Sequence, residues 1–389
     1  VAPTFGANDD LDPDTYRNVT ELITARGYPC EQYYATTQDG FILSIQRIPY
    51  GISGPSNSTQ VKPVVYLMHG FLDASTTWVI NGEVESLGFI LADAGFDVWM
   101  GNSRGNVYSR GNLYYDTTQS QLWAFSYDEM AQYDLPAIYD LVLSETGVDQ
   151  LIHVGHSQGT AQAFAAYSTY PEIASKVKLF IALAPIVYLT HQDSLLLSTF
   201  AKLPDSVVYD LLGDKAFPPD TTWFNTLETY FPDICVDFTW ACESVIFLIG
   251  GCNSIRTCDP GNMNQSRIEV YSAHIGGASV QDLVHFLQAT RSQYFPMYDY
   301  DSSSANEAHY GTSSPPNYDV TKMTVPTALF YGGRDGFADP TDVERLIPQI
   351  QNLVFTHYEP TYEHLDFVWG MDAYEKIYNL VVELVNKYW

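Results

Sequence analysis

Gly155-His156-Ser157-Gln158-Gly159 is a G-x-S-x-G pentapeptide placed where a strand turns sharply into a helix. Before it, Leu151-Ile152-His153-Val154 is short, apolar and partly β-branched. After it, Thr160-Ala161-Gln162-Ala163-Phe164-Ala165-Ala166-Tyr167 is Ala-rich and reads as helix. A turn that lifts a serine onto a strained, exposed peak leaves no room for side chains two residues to either side, which accounts for both glycines. The stretch therefore predicts a nucleophile elbow with Ser157 at its tip.

A serine hydroxyl is a poor nucleophile unless a histidine takes its proton and a carboxylate orients that histidine. On such an elbow the acid and then the base follow the serine in chain order. Val325-Pro326-Thr327-Ala328-Leu329-Phe330-Tyr331 looks like a buried strand, and the turn Gly332-Gly333-Arg334-Asp335-Gly336 presents Asp335 at its end. Asp339 and Asp342 lie nearby, but Asp339 precedes Pro340 at what resembles a helix start, so it reads as an N-cap. Two histidines lie beyond Asp335. His357 falls in the strand-like run Leu353-Val354-Phe355-Thr356-His357-Tyr358, where a histidine is a sheet-face residue. His364 lies in a loop, Tyr362-Glu363-His364-Leu365-Asp366-Phe367, between that strand and the final helix, and is the candidate base. The other seven histidines, His156 of the elbow included, read as structural or supporting. For the oxyanion of acyl transfer, the donors are the backbone N–H of Gln158 and that of Phe71, which follows the strand Val64-Val65-Tyr66-Leu67-Met68 and the turn His69-Gly70.

Strand-like and helix-like runs alternate up to Phe180-Ile181-Ala182-Leu183-Ala184-Pro185, after which more than a hundred residues pass before Val325. A connecting loop usually takes about 2 to 6 residues, so a folded insertion is expected. Its apolar runs are Leu195-Leu196-Leu197, Tyr230-Phe231, Val245-Ile246-Phe247-Leu248-Ile249 and Val284-His285-Phe286-Leu287. The expected organisation is a core over residues 1–185, a cap or lid insertion over 186–310, and the rest of the core over 311–389.

Several blocks together resemble the acid lipases of the gastric and lysosomal type. They are Asn18-Val19-Thr20-Glu21-Leu22-Ile23 with Gly27-Tyr28-Pro29, Asp39-Gly40-Phe41-Ile42-Leu43, Leu67-Met68-His69-Gly70 and Gly101-Asn102-Ser103-Arg104-Gly105-Asn106. Further along come Trp123-Ala124-Phe125-Ser126-Tyr127-Asp128-Glu129-Met130, the elbow with Thr160, and His364-Leu365-Asp366-Phe367. The resemblance implies an α/β-hydrolase core with a mostly parallel sheet and a mainly helical inserted cap. It also implies Ser157, Asp335 and His364 as the triad, Phe71 and Gln158 as the oxyanion hole, and hydrolysis of water-insoluble esters such as triacylglycerols at an oil–water interface. A sterol esterase is the alternative enzyme, and a lipid-binding or storage protein on the same scaffold the alternative of another class; the intact triad candidates argue against the latter. Two departures stand out. The family usually has Leu where this chain has Phe71, and a His-x-Pro-Ala-Gly-Thr-Ser stretch where this chain has His274-Ile275-Gly276-Gly277-Ala278-Ser279.

The 46 acidic against 18 basic residues give a formal net charge of −28, which excludes nucleic acid as a partner. The acids are dispersed, so they form a solvated surface whose self-repulsion weakens in the acid medium that the resemblance implies. No metal or other cofactor is called for. No run of 18 apolar residues exists to span a membrane, and the start at Val1-Ala2-Pro3 is that of a chain whose signal peptide has been removed. Sequons at Asn18, Asn57 and Asn264 fit a secreted or lysosomal glycoprotein. Cys235, Cys242, Cys252 and Cys258 cluster in the insertion and predict one or two local disulfides, leaving Cys30 unpaired; the resemblance favours a Cys235 to Cys242 bridge.

Overall fold

Every residue of β3 (Val64–Met68), β4 (Asp97–Gly101), β6 (Leu151–His156) and β10 (Thr327–Gly332) is buried. Because successive side chains point to opposite faces, the sheet must be covered on both sides, which is the condition under which parallel strands persist. These strands belong to a computed structural model that describes residues 11–55, 61–219 and 260–389. β1 (Glu31–Thr36) and β2 (Phe41–Ile48) precede them, the two-residue β5 (Gly111–Asn112) pairs with β2, and β7 (Val177–Leu183) and β11 (Leu353–Glu359) complete the sheet. The order is β1-β2-β4-β3-β6-β7-β10-β11. β1 and β2 pair antiparallel with each other, and β2 with β4, whereas every neighbour from β4 to β11 is parallel. The fold is thus the mostly parallel α/β arrangement expected from the sequence.

Between β7 and β10 the chain leaves the sheet. Its described residues form helices Leu195–Phe200, Asp205–Leu212, Ile268–Ala273, Val280–Thr290 and Ser303–Tyr310, with a short antiparallel pair of β8 (Ala216–Phe217) and β9 (Ala278–Ser279). The apolar runs at 195–197 and 284–287 fall on the first and fourth of these helices, while those at 230–231 and 245–249 lie outside the described residues. Ser279 caps the fourth helix: its Oγ accepts from the Asp282 N–H at 2.9 Å and donates to the Phe125 carbonyl at 2.6 Å, which docks the helix on the first part of the chain. Cys235, Cys242, Cys252, Cys258 and Asn57 lie outside the described residues as well. Cys30 is half-buried and carries a free thiol. The exposed Asn18 accepts from the Glu21 N–H through Oδ1, closing a capping box on helix Val19–Ala25, and Asn264 Oδ1 accepts from the Ser266 N–H. Among the described residues no helix is long and apolar enough to cross a membrane.

The loop after β4 buries a charge. Arg104 is 1% exposed, donates to Asp134 from Nε at 2.8 Å, and reaches Asp39 through both terminal nitrogens at 2.6 and 3.0 Å. Phe41 covers the guanidinium at 4.3 Å. Next to it, the Asn102 amide donates to the Ser44 carbonyl, Gln46 Oε1 and Ser75 Oγ. Removing the cation alone leaves Asp134 buried and unpaired, an arrangement that costs about 3–5 kcal/mol. Arg104→Met should therefore lower the urea midpoint far more than Asp39→Asn, since Asp39 is partly exposed; equal losses would contradict this account.

Candidate active site

Ser157 adopts φ 54° and ψ −120° between β6 and the helix Gln158–Thr169. A Cβ on Gly155 would stand 2.8 Å from the Gly159 carbonyl oxygen, and one on Gly159 would stand 2.4 Å from that of Met68. No side chain fits at either place, as the sequence pattern requires. The strained residue is held by the Ser157 N–H donating to the Leu183 carbonyl at 3.1 Å and by its own carbonyl accepting from Thr160 Oγ1 at 2.6 Å.

Far along the chain, the turn after β10 carries Asp335 and the turn after β11 carries His364. The structure brings both to Ser157. The Asp335 carboxylate accepts from His364 Nδ1–H with both oxygens at 2.9 Å, leaving Nε2 as the acceptor of the Ser157 hydroxyl at 2.7 Å. Backbone N–H groups of Phe337 and Ala338 fix Asp335 Oδ1 at 2.9 and 2.8 Å. The His364 turn is closed by Asp366, which accepts from the Glu363 N–H at 2.7 Å and from Asn262 at 3.0 Å. His357 sits on the edge strand β11 with its ring against Phe330, far from this chain of bonds in register, and Asp339 caps the helix Pro340–Leu346 through Thr341. Asp342 is engaged by His191. A hydroxyl held in this way can lose its proton to the ring as it attacks a carbonyl carbon, and the ring can return it to a leaving alkoxide.

Two amides suit the resulting oxyanion. Gln158 opens its helix, so its N–H has no carbonyl one turn back to pair with. Phe71 lies in the loop after β3 and lines the same cavity as Ser157. That loop is pinned from below, where the Ser103 N–H donates to His69 Nε2 at 3.0 Å and His69 Nδ1–H donates to the Gly70 carbonyl at 2.8 Å. It is pinned from above by Gly276, whose N–H donates to the Leu72 carbonyl at 2.8 Å. A Cβ on Gly276 would come within 1.8 Å of the Asp73 carbonyl oxygen, so the departure at Gly276-Gly277 serves a close backbone approach. Pattern reading missed one further link: Gln158 Nε2 donates to Asp282 of helix Val280–Thr290 at 2.7 Å, tying a candidate oxyanion donor to the segment between β7 and β10. Nothing in the spacing of two residues 124 apart could have signalled it.

The cavity above Ser157 is largely apolar. Ile186, Leu189, Leu197 and Phe286 come from beyond β7, Phe337, Leu365 and Trp369 from the C-terminal part, and Tyr271 stacks on Trp369 at 4.7 Å. Phe71 meets Phe286 edge-on at 5.4 Å and Phe217 at 6.1 Å. Ser157 itself is only 8% exposed, so an ester must come to it through this cavity.

The sequence profile described as the alpha/beta hydrolase fold matches residues 63–371, and that of the partial alpha/beta-hydrolase lipase region matches 19–82. Human lysosomal acid lipase/cholesteryl ester hydrolase is 46% identical over 97% of this chain and 93% of its own length. The chain belongs to the acid lipase family of α/β-hydrolases. Human gastric triacylglycerol lipase, another relative, is 43% identical over 98% of this chain and 94% of its own. Among solved structures, a soluble variant of monoglyceride lipase from Saccharomyces cerevisiae shares the fold, with a TM-score of 0.58 at 15% identity, over 93% of this chain and 96% of that one. As a member of the acid lipase family the protein is a carboxylic ester hydrolase.

Several buried groups around the site are shifted. Burial pushes Asp73, in the cavity wall, up to about 7, Asp366 up to about 7 and Asp282 up to about 8. Burial also pushes His69 down to about 4, and His153, His156 and His285 down to about 3. An unfolded carboxyl releases its proton near pH 4, so these three bind more protons folded than unfolded up to about 7 or 8, and stability falls as pH rises through that span. The imidazoles oppose this only below their unfolded value of about 6.5, where the unfolded chain takes up protons that the folded one refuses. Between about pH 6.5 and 8 the carboxyls act alone. The thermal midpoint, followed by circular dichroism at constant ionic strength, should fall across that window; a rise would contradict the assignment.

Proposed function

We propose that the protein is a secreted or lysosomal serine lipase acting on esters of water-insoluble lipids, triacylglycerols first, with Ser157 as nucleophile, His364 as base and Asp335 as its orienting acid. The observation that carries this is the unbroken chain from the Ser157 hydroxyl through His364 to Asp335, opening into an apolar cavity. Ser157 Oγ attacks the ester carbonyl while His364 Nε2 takes its proton, and the oxyanion is received by the N–H groups of Phe71 and Gln158. Collapse expels the alcohol, which leaves with the proton from His364 and leaves the acyl group on Ser157. Water, deprotonated by the same ring, then releases the fatty acid.

The substrate class rests on the named activities of the two human relatives together with the apolar cavity. A sterol ester is the second reading, supported by the cholesteryl ester hydrolase among those relatives. The Phe71 ring, against Phe286, narrows the wall that a bulky acyl or sterol group would meet. Residues 186–310 act as a cap: among the described residues, Ile186, Leu189, Leu197 and Phe286 line the cavity, and contact with a lipid surface favours whichever state exposes them. The secreted or lysosomal setting follows the same relatives, with glycans at Asn18, Asn57 and Asn264.

Ser157→Ala should reduce turnover by more than about a thousandfold in a folded protein. His364→Ala should match it, whereas His357→Ala should change the thermal midpoint more than the rate. An essential His357 would sink the assignment of the base. A panel of triacylglycerols and sterol esters at acid and neutral pH decides between the two substrate readings. For the cap, rate against concentration of a short-chain ester should jump where the ester exceeds its solubility, and detergent should speed labelling of Ser157 by a phosphonate ester. Smooth saturation with detergent-indifferent labelling would reject a lipid-gated cap.

A further inference from the structure

His156 is the one histidine of the elbow, and the proposed chemistry gives it no step. It ends β6, where it is opposite Leu183 of β7, and it directly precedes Ser157. Its ring is 1% exposed. Nε2 lies 2.9 Å from the backbone carbonyl oxygen of His364, 208 residues further on. A carbonyl can only accept, so Nε2 carries the hydrogen and the neutral ring keeps its lone pair on Nδ1. The two rings stand 4.9 Å apart and tilted by 44°, so His156 touches the backbone of His364 and not its reacting nitrogen.

We infer that His156 is a positioning residue: through the Nε2–H bond to the His364 carbonyl it sets the distance between the Ser157 hydroxyl and the His364 ring. Three features support this. The backbone of His156 is locked into the sheet beside the nucleophile, so the same residue is fixed to one partner and bonded to the other. The His364 turn is also tied at Asp366, at the Tyr362 carbonyl by the Arg334 N–H and, through the ring, at Asp335, and the bond from His156 reaches its backbone from the elbow strand. The groups facing His156 are His364, His69 and Asp335, and burial together with the nearby His364 holds the ring neutral well into acid. A second cation therefore does not arise beside His364 when that ring takes the serine proton, and the donor is retained throughout the turnover.

The inference rests on the proposed triad, and the test separates the two. Gln carries an N–H donor at nearly the reach of histidine Nε2, whereas Leu has none. In a soluble short-chain ester assay, His156→Leu should lower kcat by about ten- to a hundredfold with KM little changed, the penalty of a small misplacement of the base. The rate of Ser157 labelling by a phosphonate ester should fall in proportion, and His156→Gln should recover both to within about threefold of the unaltered enzyme. Thermal midpoints are measured alongside. If His156→Leu does not fold, His156→Asn, whose donor falls short of the carbonyl, takes its place. Turnover unchanged without the donor, or equal losses in the Gln and donor-free variants, would overturn the positioning role. Failure of the unaltered enzyme to take phosphonate at Ser157 would overturn the triad instead.

Discussion

The helix that follows Ser157 approaches the end of β3 so closely that a single added carbon at Gly159 would collide with the carbonyl oxygens of Met68 and His69. Everything chemical in the molecule is arranged around that contact. It forces the left-handed backbone at Ser157, a conformation that costs roughly 1–3 kcal/mol and survives only where its surroundings leave no alternative. It also brings the helix opening at Gln158 beside the loop of Gly70 and Phe71, so that donors from two parts of the chain can serve one oxygen. Because the collision partner is backbone, no repacking of side chains could relieve it.

A chain with so many more acids than bases meets a second constraint, which is where to put the carboxyls that must be inside. Two solutions coexist. At Asp14, burial alone would favour the neutral acid, but Arg17, Arg26 and Arg267 converge on it and hold it well below the usual carboxylate range. Arg104 does similar service for Asp39 and also pairs with the fully buried Asp134, whose carboxyl burial nonetheless holds above the usual range. Asp73, Asp282 and Asp366 have no such cation and are satisfied by amide and hydroxyl donors instead. Burial favours the neutral acid at a carboxyl of that kind, so these three lose stability as pH rises, whereas the buried imidazoles and the Arg-held carboxylates of Asp14 and Asp39 lose it as pH falls.

The elbow was legible in the sequence because its glycines answer a local steric demand, and Asp335 and His364 because each follows a strand whose apolar run is unmistakable. His357 was separable from His364 for the same reason: one lies within a strand's period and the other beyond it. The supporting bonds were not legible. The Gln158 to Asp282 link, the grip of Asn102 on β2 and Ser75, and the His156 bond to the His364 carbonyl all join residues whose types are ordinary and whose spacing carries no period. The Gly276 loop shows the middle case, in which a departure in sequence was visible but its cause, a backbone approach to Asp73, needed the third dimension.

Ser157 and His364 are separated by 207 residues, and Asp335 and His364, the proposed acid and base, both lie on turns after the last two strands of the sheet. Synthesis runs from the N-terminus, so the sheet from β1 to β7 can assemble while Asp335 and His364 do not yet exist. On the proposed assignment, the serine of a growing chain then has neither its acid nor its base. On that assignment the base arrives only with the final turn, so a chain that ends before Tyr362 lacks it and is not expected to hydrolyse the lipids of the cell that makes it.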